Sequence, residues 1–313
     1  QAIFAQAVWL KPGLTHVCFP DFLLVRGMPS ADVAPKCRIA FAFLPMAGHM
    51  NPSLPVARSL VSRGHEVHYF THESVRKVVE STGAVFHSVV DYHGALSDGR
   101  FAADSPIGIF AGLVEKHGLK PTGANTGHAV LPFSMVSNVA LDLQLPGTLR
   151  FFDELKPDVL VYDSMILCRD ALFAARLRGV PAVSLLTVAG PGGYADHMTA
   201  GVGEEEWVAS MQGFAPHVEA TGRLNATYGL GLAVVERPLM MLERARVHLV
   251  TTSESLQDPM GPELAQAYAG QGAEFAYVGP LLEEGEGSLR LGMSKGQDAS
   301  GASVLAAARA ARA

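Results

Sequence analysis

Apolar positions along the chain gather into short, nearly continuous runs separated by helical patterns, the signature of strands buried on both faces of a parallel sheet. Arg38-Ile-Ala-Phe-Ala-Phe-Leu44 is the first such run, and Pro45 ends it. Leu54, Ala57, Leu60 and Val61 then recur at helical spacing up to Gly64, which suits the left-handed position that closes many helices. Asn51 suits the N-cap of that helix and Pro52 its first position, where no N–H is needed. His65 to Thr71 has the β-branched and aromatic content of a second strand, Ser74 to Thr82 reads as a helix stopped by Gly83, and Ala84 to Val89 as a third strand. That order predicts an α/β fold, a Rossmann-like, doubly wound and mainly parallel sheet with helices on both faces.

The pattern lapses from Asp91 to about Pro132, where Gly, His, Ser and Pro predict a long irregular region of the kind that carries function or disorder. A helix is expected from Phe133 to about Leu155 with an interruption near Pro146. Pro157 to Asp163 reads as a strand that stays apolar until it ends in an acid. A helix over Met165 to Arg178, a strand over Val180 to Thr187 and a glycine-rich loop over Val188 to Tyr194 follow. Helices are predicted over Glu204 to Arg223 and Leu230 to Arg246, and strands over Val247 to Thr252 and Glu274 to Pro280. After Leu282 the chain turns to Gly, Ser and Glu and then to Ala and Arg, with too few large apolar residues for a core. The expected organisation is an extension over 1–36, one domain over 37–282 and a linker-like tail over 283–313.

Composition narrows the function classes. Hydrophobic residues make up 49% of the 313 and charged residues only 17%, below the roughly 25% usual for soluble domains. A formal net charge of −6 and the absence of any Lys/Arg cluster give no footprint for nucleic acid. No apolar run approaches the roughly 20 residues that span a bilayer, so no integral membrane segment is expected. Cys18, Cys37 and Cys168 show no C-x-x-C pairing, so neither a metal site nor a disulfide framework is indicated, and a cytoplasmic, reducing setting is the default. No G-x-G-x-x-G follows the first strand and no Walker pattern occurs, which weakens a nicotinamide-dependent oxidoreductase and leaves no cofactor to expect.

His49 is the residue with the most chemistry in its position. It falls between the end of a strand and the start of a helix, and ligands of open α/β sheets gather outside the carboxyl ends of the strands. The positive end of a helix dipole disfavours imidazolium, so a neutral His49 able to accept a proton near pH 7 is expected there. A histidine that merely hydrogen-bonds the turn is the competing reading. Asp163, at the end of a later strand, is either a partner for such a base or an N-cap for the helix that starts near Ser164.

The stretch Met46-Ala-Gly-His-Met-Asn-Pro-Ser-Leu54 with Leu60-Val-Ser-Arg-Gly-His-Glu-Val67 resembles the amino-terminal half of the UDP-sugar-dependent glycosyltransferases of the GT-B, family 1 type, the macrolide and plant secondary-product enzymes. Lys156-Pro-Asp-Val-Leu-Val-Tyr-Asp163, Gly179-Val-Pro-Ala-Val-Ser-Leu185 and Phe275-Ala-Tyr-Val-Gly-Pro280 follow in the family's order. The resemblance implies that His49 deprotonates an acceptor hydroxyl, that Asp163 orients it, and that the sugar is transferred with inversion. The acceptor would be a small, hydrophobic, hydroxyl-bearing molecule, with a UDP-sugar as co-substrate. Met50, Tyr92, Phe133, Met135, Thr187 and Tyr194 are candidates for lining its pocket. The family's donor-binding motifs do not occur after Pro280, so the resemblance is to an acceptor half without its donor half, and inactivity alone is the corresponding expectation. The alternative is a non-catalytic small-molecule-binding module, or a subunit needing a separate donor-domain partner.

Overall fold

The computed structural model describes residues 36–105, 107–187, 190–191, 199–235, 245–257, 259–279 and 281. Each apolar run predicted as a strand becomes one: β1 Arg38–Ala42, β2 Glu66–Thr71, β3 Val85–Ser88, β4 Val159–Asp163, β5 Ala182–Leu186, β6 Val247–Val250 and β7 Glu274–Tyr277. They form one seven-stranded sheet in the order β3-β2-β1-β4-β5-β6-β7, with every pair parallel. This is the Rossmann-like, doubly wound fold. The sequence order reverses direction between β1 and β4, where Ile39 lies opposite Val159 and Ala42 opposite Tyr162. A reversal of that kind opens a crevice at the carboxyl ends of the two strands.

Helices cover both faces of the sheet. The first are α1 Ala47–Met50, α2 Ser53–Ser62, α3 Arg76–Glu80, α4 Val89–Tyr92, α5 Gly94–Ser97, α6 Gly108–Lys116 and α7 Thr126–Met135. Then come α8 Ser137–Leu155, α9 Arg169–Arg178, α10 Glu204–Gly213, α11 Ala215–Tyr228 and α12 Pro262–Gln271. Side chains alternate across a strand, so the two faces have separate cores. Ile39, Phe41, Val159 and Val161 join Leu54, Ala57, Leu60 and Val79 on one side. On the other, Ala40, Ala42, Leu160 and Tyr162 meet Leu141, Leu145, Phe152 and Phe173. No helix among the described residues is long and apolar enough to cross a membrane.

Three expectations are corrected. The stretch expected to be irregular, Asp91 to Pro132, holds helical segments, including α6 and most of α7. Their apolar residues, among them Ile109, Phe110 and Leu113, bury against Val136 and Ala140, and such tertiary packing makes short helices that propensity alone leaves marginal. Pro146 does not interrupt the second helix of that region. The break falls at Val136, while α8 runs 19 residues through the proline. The ring removes one backbone hydrogen bond, and the burial of Leu141, Leu145, Leu149 and Phe152 on one side of the helix outweighs that loss.

The helix predicted to begin at Leu230 does not begin there. Gly229 and Gly231 both take left-handed backbone, and Asn225 clamps Leu232 through its side-chain amide, donating to the Leu232 carbonyl at 2.9 Å and accepting its N–H at 2.8 Å. The rest of that predicted helix, like the extension, the tail and much of the glycine-rich loop, lies outside the described residues. Cys168 is free and buried.

Candidate active site

The strand order puts His49 and Asp163 at the same place. β1 delivers the chain to the turn that carries His49, and β4, its parallel neighbour, ends on Asp163. Both therefore sit at the carboxyl edge of the switch point. His49 Nδ1 approaches Asp163 Oδ2 to 2.8 Å, with the imidazole 16% exposed and the carboxylate 1%. Asp163 Oδ1 accepts the backbone N–H of Met165 at 3.1 Å. Asp163 is not the N-cap expected as the alternative, since the next helical turn enters through Met165 and the helix after it through Cys168; one carboxylate oxygen holds the intervening backbone and the other meets the imidazole. Oδ2 has no hydrogen-bond partner besides that imidazole among the described residues.

The local backbone differs from expectation. Residues 47–50 wind into a helical turn of their own, entered through the extended Met46, so His49 lies in the last turn of α1 rather than ahead of a helix. Pro52, not Asn51, occupies the N-cap position of α2, and no side chain caps it. The expected depression of the histidine by a helix dipole is not what governs it. Burial by itself would lower the His49 pKa, but the hydrogen bond and the negative charge of Asp163 more than offset burial, and the net shift is upward. A buried carboxylate next to imidazole favours the charged form of the ring.

Neutral His49 would carry its proton on Nδ1, toward Asp163, which leaves the Nε2 lone pair to take a proton from a bound hydroxyl. Thr187, just beyond the end of β5, stands 3.4 Å from Nδ1 through its hydroxyl. Of the described residues expected to line an acceptor pocket, Thr187 is the one brought to His49. Met50 is completely buried in the core beneath α2. Tyr92 meets Phe151 edge to face and donates to Glu154 Oε2 at 2.8 Å, lining a surface depression with Arg76 and Arg150. Phe133 packs with Ile109 and Phe110, and Met135 with Trp207 and Met211. Tyr194 falls outside the described residues.

A cleft that the sequence did not disclose opens at the carboxyl ends of β1 and β2, walled by the Leu44-Pro45 turn, Phe70, His72, His93, Ile109, Phe110 and the Leu167-Cys168 segment. It encloses about 70 Å³, room for several waters. The charge of Asp163 and that of Asp170 both raise the buried Cys168 thiol, after the larger effect of burial. Cys168 in the wall therefore stands close to both carboxylates. Spacing along the chain could not have revealed this cleft, because β1, β2, α6 and the start of α9 contribute to it from far apart.

No protein-family model matches the chain. Over 150 residues, 48% of its length, it is 31% identical to 4'-demethylrebeccamycin synthase of Lentzea aerocolonigenes, and the match covers 32% of that protein. Over 59 residues it is 41% identical to demethyllactenocin mycarosyltransferase of Streptomyces fradiae, covering 19% of this chain and 13% of the other. The crystal structure of the glycotransferase of kitacinnamycin superposes over 83% of this chain and 56% of its own, with a TM-score of 0.51 and 21% identity. That likeness bears on the fold. The chain spans about a third of the first relative's length and a little over half of the solved enzyme's. It resembles the GT-B, family 1 glycosyltransferases of the macrolide and natural-product type across that portion.

Proposed function

We propose that this chain is the acceptor-binding half of an inverting glycosyltransferase, which moves a sugar from a UDP-sugar to a hydroxyl of a small hydrophobic acceptor. The observation that carries this reading is the 2.8 Å approach of His49 to Asp163 at the switch point of the sheet. An alcohol is a weak nucleophile until a base takes its proton, and a positioned base contributes typically about 10²–10⁴ in rate. His49 Nε2 would take that proton as the hydroxyl oxygen bonds to the anomeric carbon. The bond from that carbon to the diphosphate oxygen breaks on the opposite face, and the nucleotide diphosphate leaves with the electron pair. Asp163 would hold the ring in the tautomer that presents Nε2 and stabilise the imidazolium that forms.

The designation of one relative as a mycarosyltransferase supports this reaction class. So does the placement of the pair where α/β sheets bind ligands. The donor would be held by a second domain, which the described residues do not include. Nucleotide-sugar consumption should be measured with the chain alone and with a GT-B donor-binding domain joined to it. Turnover is expected in the joined protein and should fall about 10²–10⁴-fold in His49→Ala. Undiminished turnover in that variant would remove His49 from the reaction. Turnover by the chain alone would show that no separate donor domain is needed.

A second reading is a small-molecule-binding module that performs no transfer, for which the cleft at the carboxyl ends of β1 and β2 would serve as the binding site. Acceptor binding without turnover, in the presence of a donor domain shown to bind its nucleotide sugar, would select it.

A further inference from the structure

Inside the cleft a second histidine is tied to a second carboxylate, and nothing in the transfer step uses it. Asp170 Oδ2 receives the Thr148 hydroxyl at 2.5 Å, and Thr148 Oγ1 lies 3.0 Å from His93 Nε2. Asp170 Oδ2 also stands 3.5 Å from that nitrogen. A hydroxyl that donates to a carboxylate has its lone pairs free, so the hydrogen between Thr148 and His93 belongs to His93 Nε2. The relay therefore fixes the tautomer of His93. Its Nδ1 is left with a lone pair, buried and without a partner in the described residues.

The ring is held in place as well as in tautomer. His93 is 2% exposed and meets Phe70 edge to face at 5.4 Å between centroids. Gly147, on the neighbouring turn of α8, lets the helix come so close that an added Cβ would enter the space of the Tyr92 carbonyl oxygen and press on His93 Cδ2. His72, 5% exposed, also lines the cleft and also has an Nδ1 unpartnered among the described residues. Two buried imidazoles with unmet hydrogen-bonding capacity are costly, because each has given up water without gaining a partner in exchange. A ligand that satisfies them recovers that cost. Leu96, Ile109, Phe110 and Leu167 give the cleft an apolar wall around this polar end. Among the described residues no group of three or more His, Cys, Asp or Glu side chains is placed to hold a metal ion, so the imidazoles are read as hydrogen-bonding groups.

We infer that His93, positioned by Thr148 and Asp170, is a specificity-determining anchor that accepts a hydrogen bond from a second O–H or N–H on the ring-bearing end of the acceptor. The inference rests on the acceptor-half reading. It deepens that reading by naming the acceptor class: a molecule with an aromatic or similarly flat end that carries its own donor group, distinct from the hydroxyl presented to His49. A site built to receive a hydrogen bond rejects an isostere that lacks the donor, because the buried lone pair is then left unmet.

The test needs no sugar donor. Phenol and fluorobenzene are close in size, and only phenol carries a donor. Binding of each to this chain would be measured by ligand-observed NMR titration. Phenol is expected to bind on the order of tenfold more tightly, the factor that one net hydrogen bond of about 1.4 kcal/mol supplies. His93→Phe should abolish the preference, with the circular-dichroism spectrum and melting temperature checking that the variant folds. In the wild-type chain the ¹⁵N resonance of His93 Nδ1 should shift on adding phenol and stay in place on adding fluorobenzene, a readout that no variant's folding can confound. His49→Ala should keep the preference. Equal binding of the two probes, a preference that survives His93→Phe, or an Nδ1 resonance unmoved by phenol would each overturn the anchor. The two proposals can fail apart: an intact phenol preference with no His49-dependent transfer leaves the anchor standing and removes the enzyme reading. Transfer that depends on His49 with no phenol preference does the reverse.

Discussion

His49 and His93 stand near the same edge of the sheet, each with an aspartate, and they are held in different ways. His49 meets Asp163 directly and keeps 16% of its side chain open to solvent. His93 reaches Asp170 through the Thr148 hydroxyl and has a side chain only 3% exposed. Direct contact gives the ring electrostatic support for gaining a proton, while the open side gives a reacting group access. At His93 a hydroxyl joins ring and carboxylate and fixes the direction of the ring, with Asp170 Oδ2 itself 3.5 Å from Nε2, and burial then fixes one lone pair in one place. The same two residue types thus make a proton acceptor in one position and a recognition element in the other. What separates them is the intervening hydroxyl and the exposure.

The largest expected break in this contrast is His49→Ala, measured in the chain joined to a donor-binding domain: a loss of about 10²–10⁴ in kcat/KM, with phenol binding unchanged. Asp163→Asn should cost less in rate, since the base remains, and it should move the pH profile. His49 has a raised pKa in the folded chain, with Asp163 the source of both raising effects. The base is active when neutral, so activity should rise with pH through that raised value, and in Asp163→Asn the rise should shift to lower pH. Stability follows the opposite limb. The contribution of the pair is fully present below the unfolded histidine value, about 6.5, and is lost as pH rises through the folded value. Urea unfolding at several pH values should show that decline in the wild type and a flatter profile in Asp163→Asn.

Smaller effects sharpen the other half of the contrast. Gly147→Ala ordinarily would favour a helix by about 1 kcal/mol. Here the added methyl meets the Tyr92 carbonyl and the His93 ring, and overpacking of that kind costs about 1–3 kcal/mol. The variant should lose stability and weaken the phenol preference, with the His49 titration followed by NMR unaltered. The smallest effect is expected from Lys156→Gly. Lys156 ends α8 in left-handed backbone, with φ of 51°, a conformation that costs a side-chain-bearing residue about 1 kcal/mol. Thermal unfolding should show a gain of up to about 1 kcal/mol, with neither histidine disturbed.

Most of the sheet was legible in the sequence because strands buried on both faces announce themselves as apolar runs. The same periodicity placed His49 and Asp163 at strand ends, and the strand order made them neighbours. The upward shift of His49 was not legible, since the sequence could offer the helix terminus but not the 2.8 Å contact that outweighs it. Met50 was a candidate for lining the acceptor pocket, yet one residue along a helical turn from His49 points about 100° away, and its side chain fills the core. The His93 relay was invisible for a different reason. Its members come from the end of α4, the middle of α8 and the first turn of α9, and no motif spaces them. Only the packing of α8 on α9 and on the segment before α5 brings them within hydrogen-bond reach.

The adjacency of β1 and β4 also sets the order in which such a site can come into being. The backbone N–H of Arg38 donates to the Asp158 carboxylate at 2.7 Å, across 120 residues of chain, and the parallel pairing of the two strands closes that whole loop. Long-range parallel pairing is slow, because the entropy of closing the loop is lost before the contacts that reward it are made. The His49 imidazole therefore stays an ordinary, solvated ring until the centre of the sheet has assembled, and its titration during refolding would time the arrival of β4.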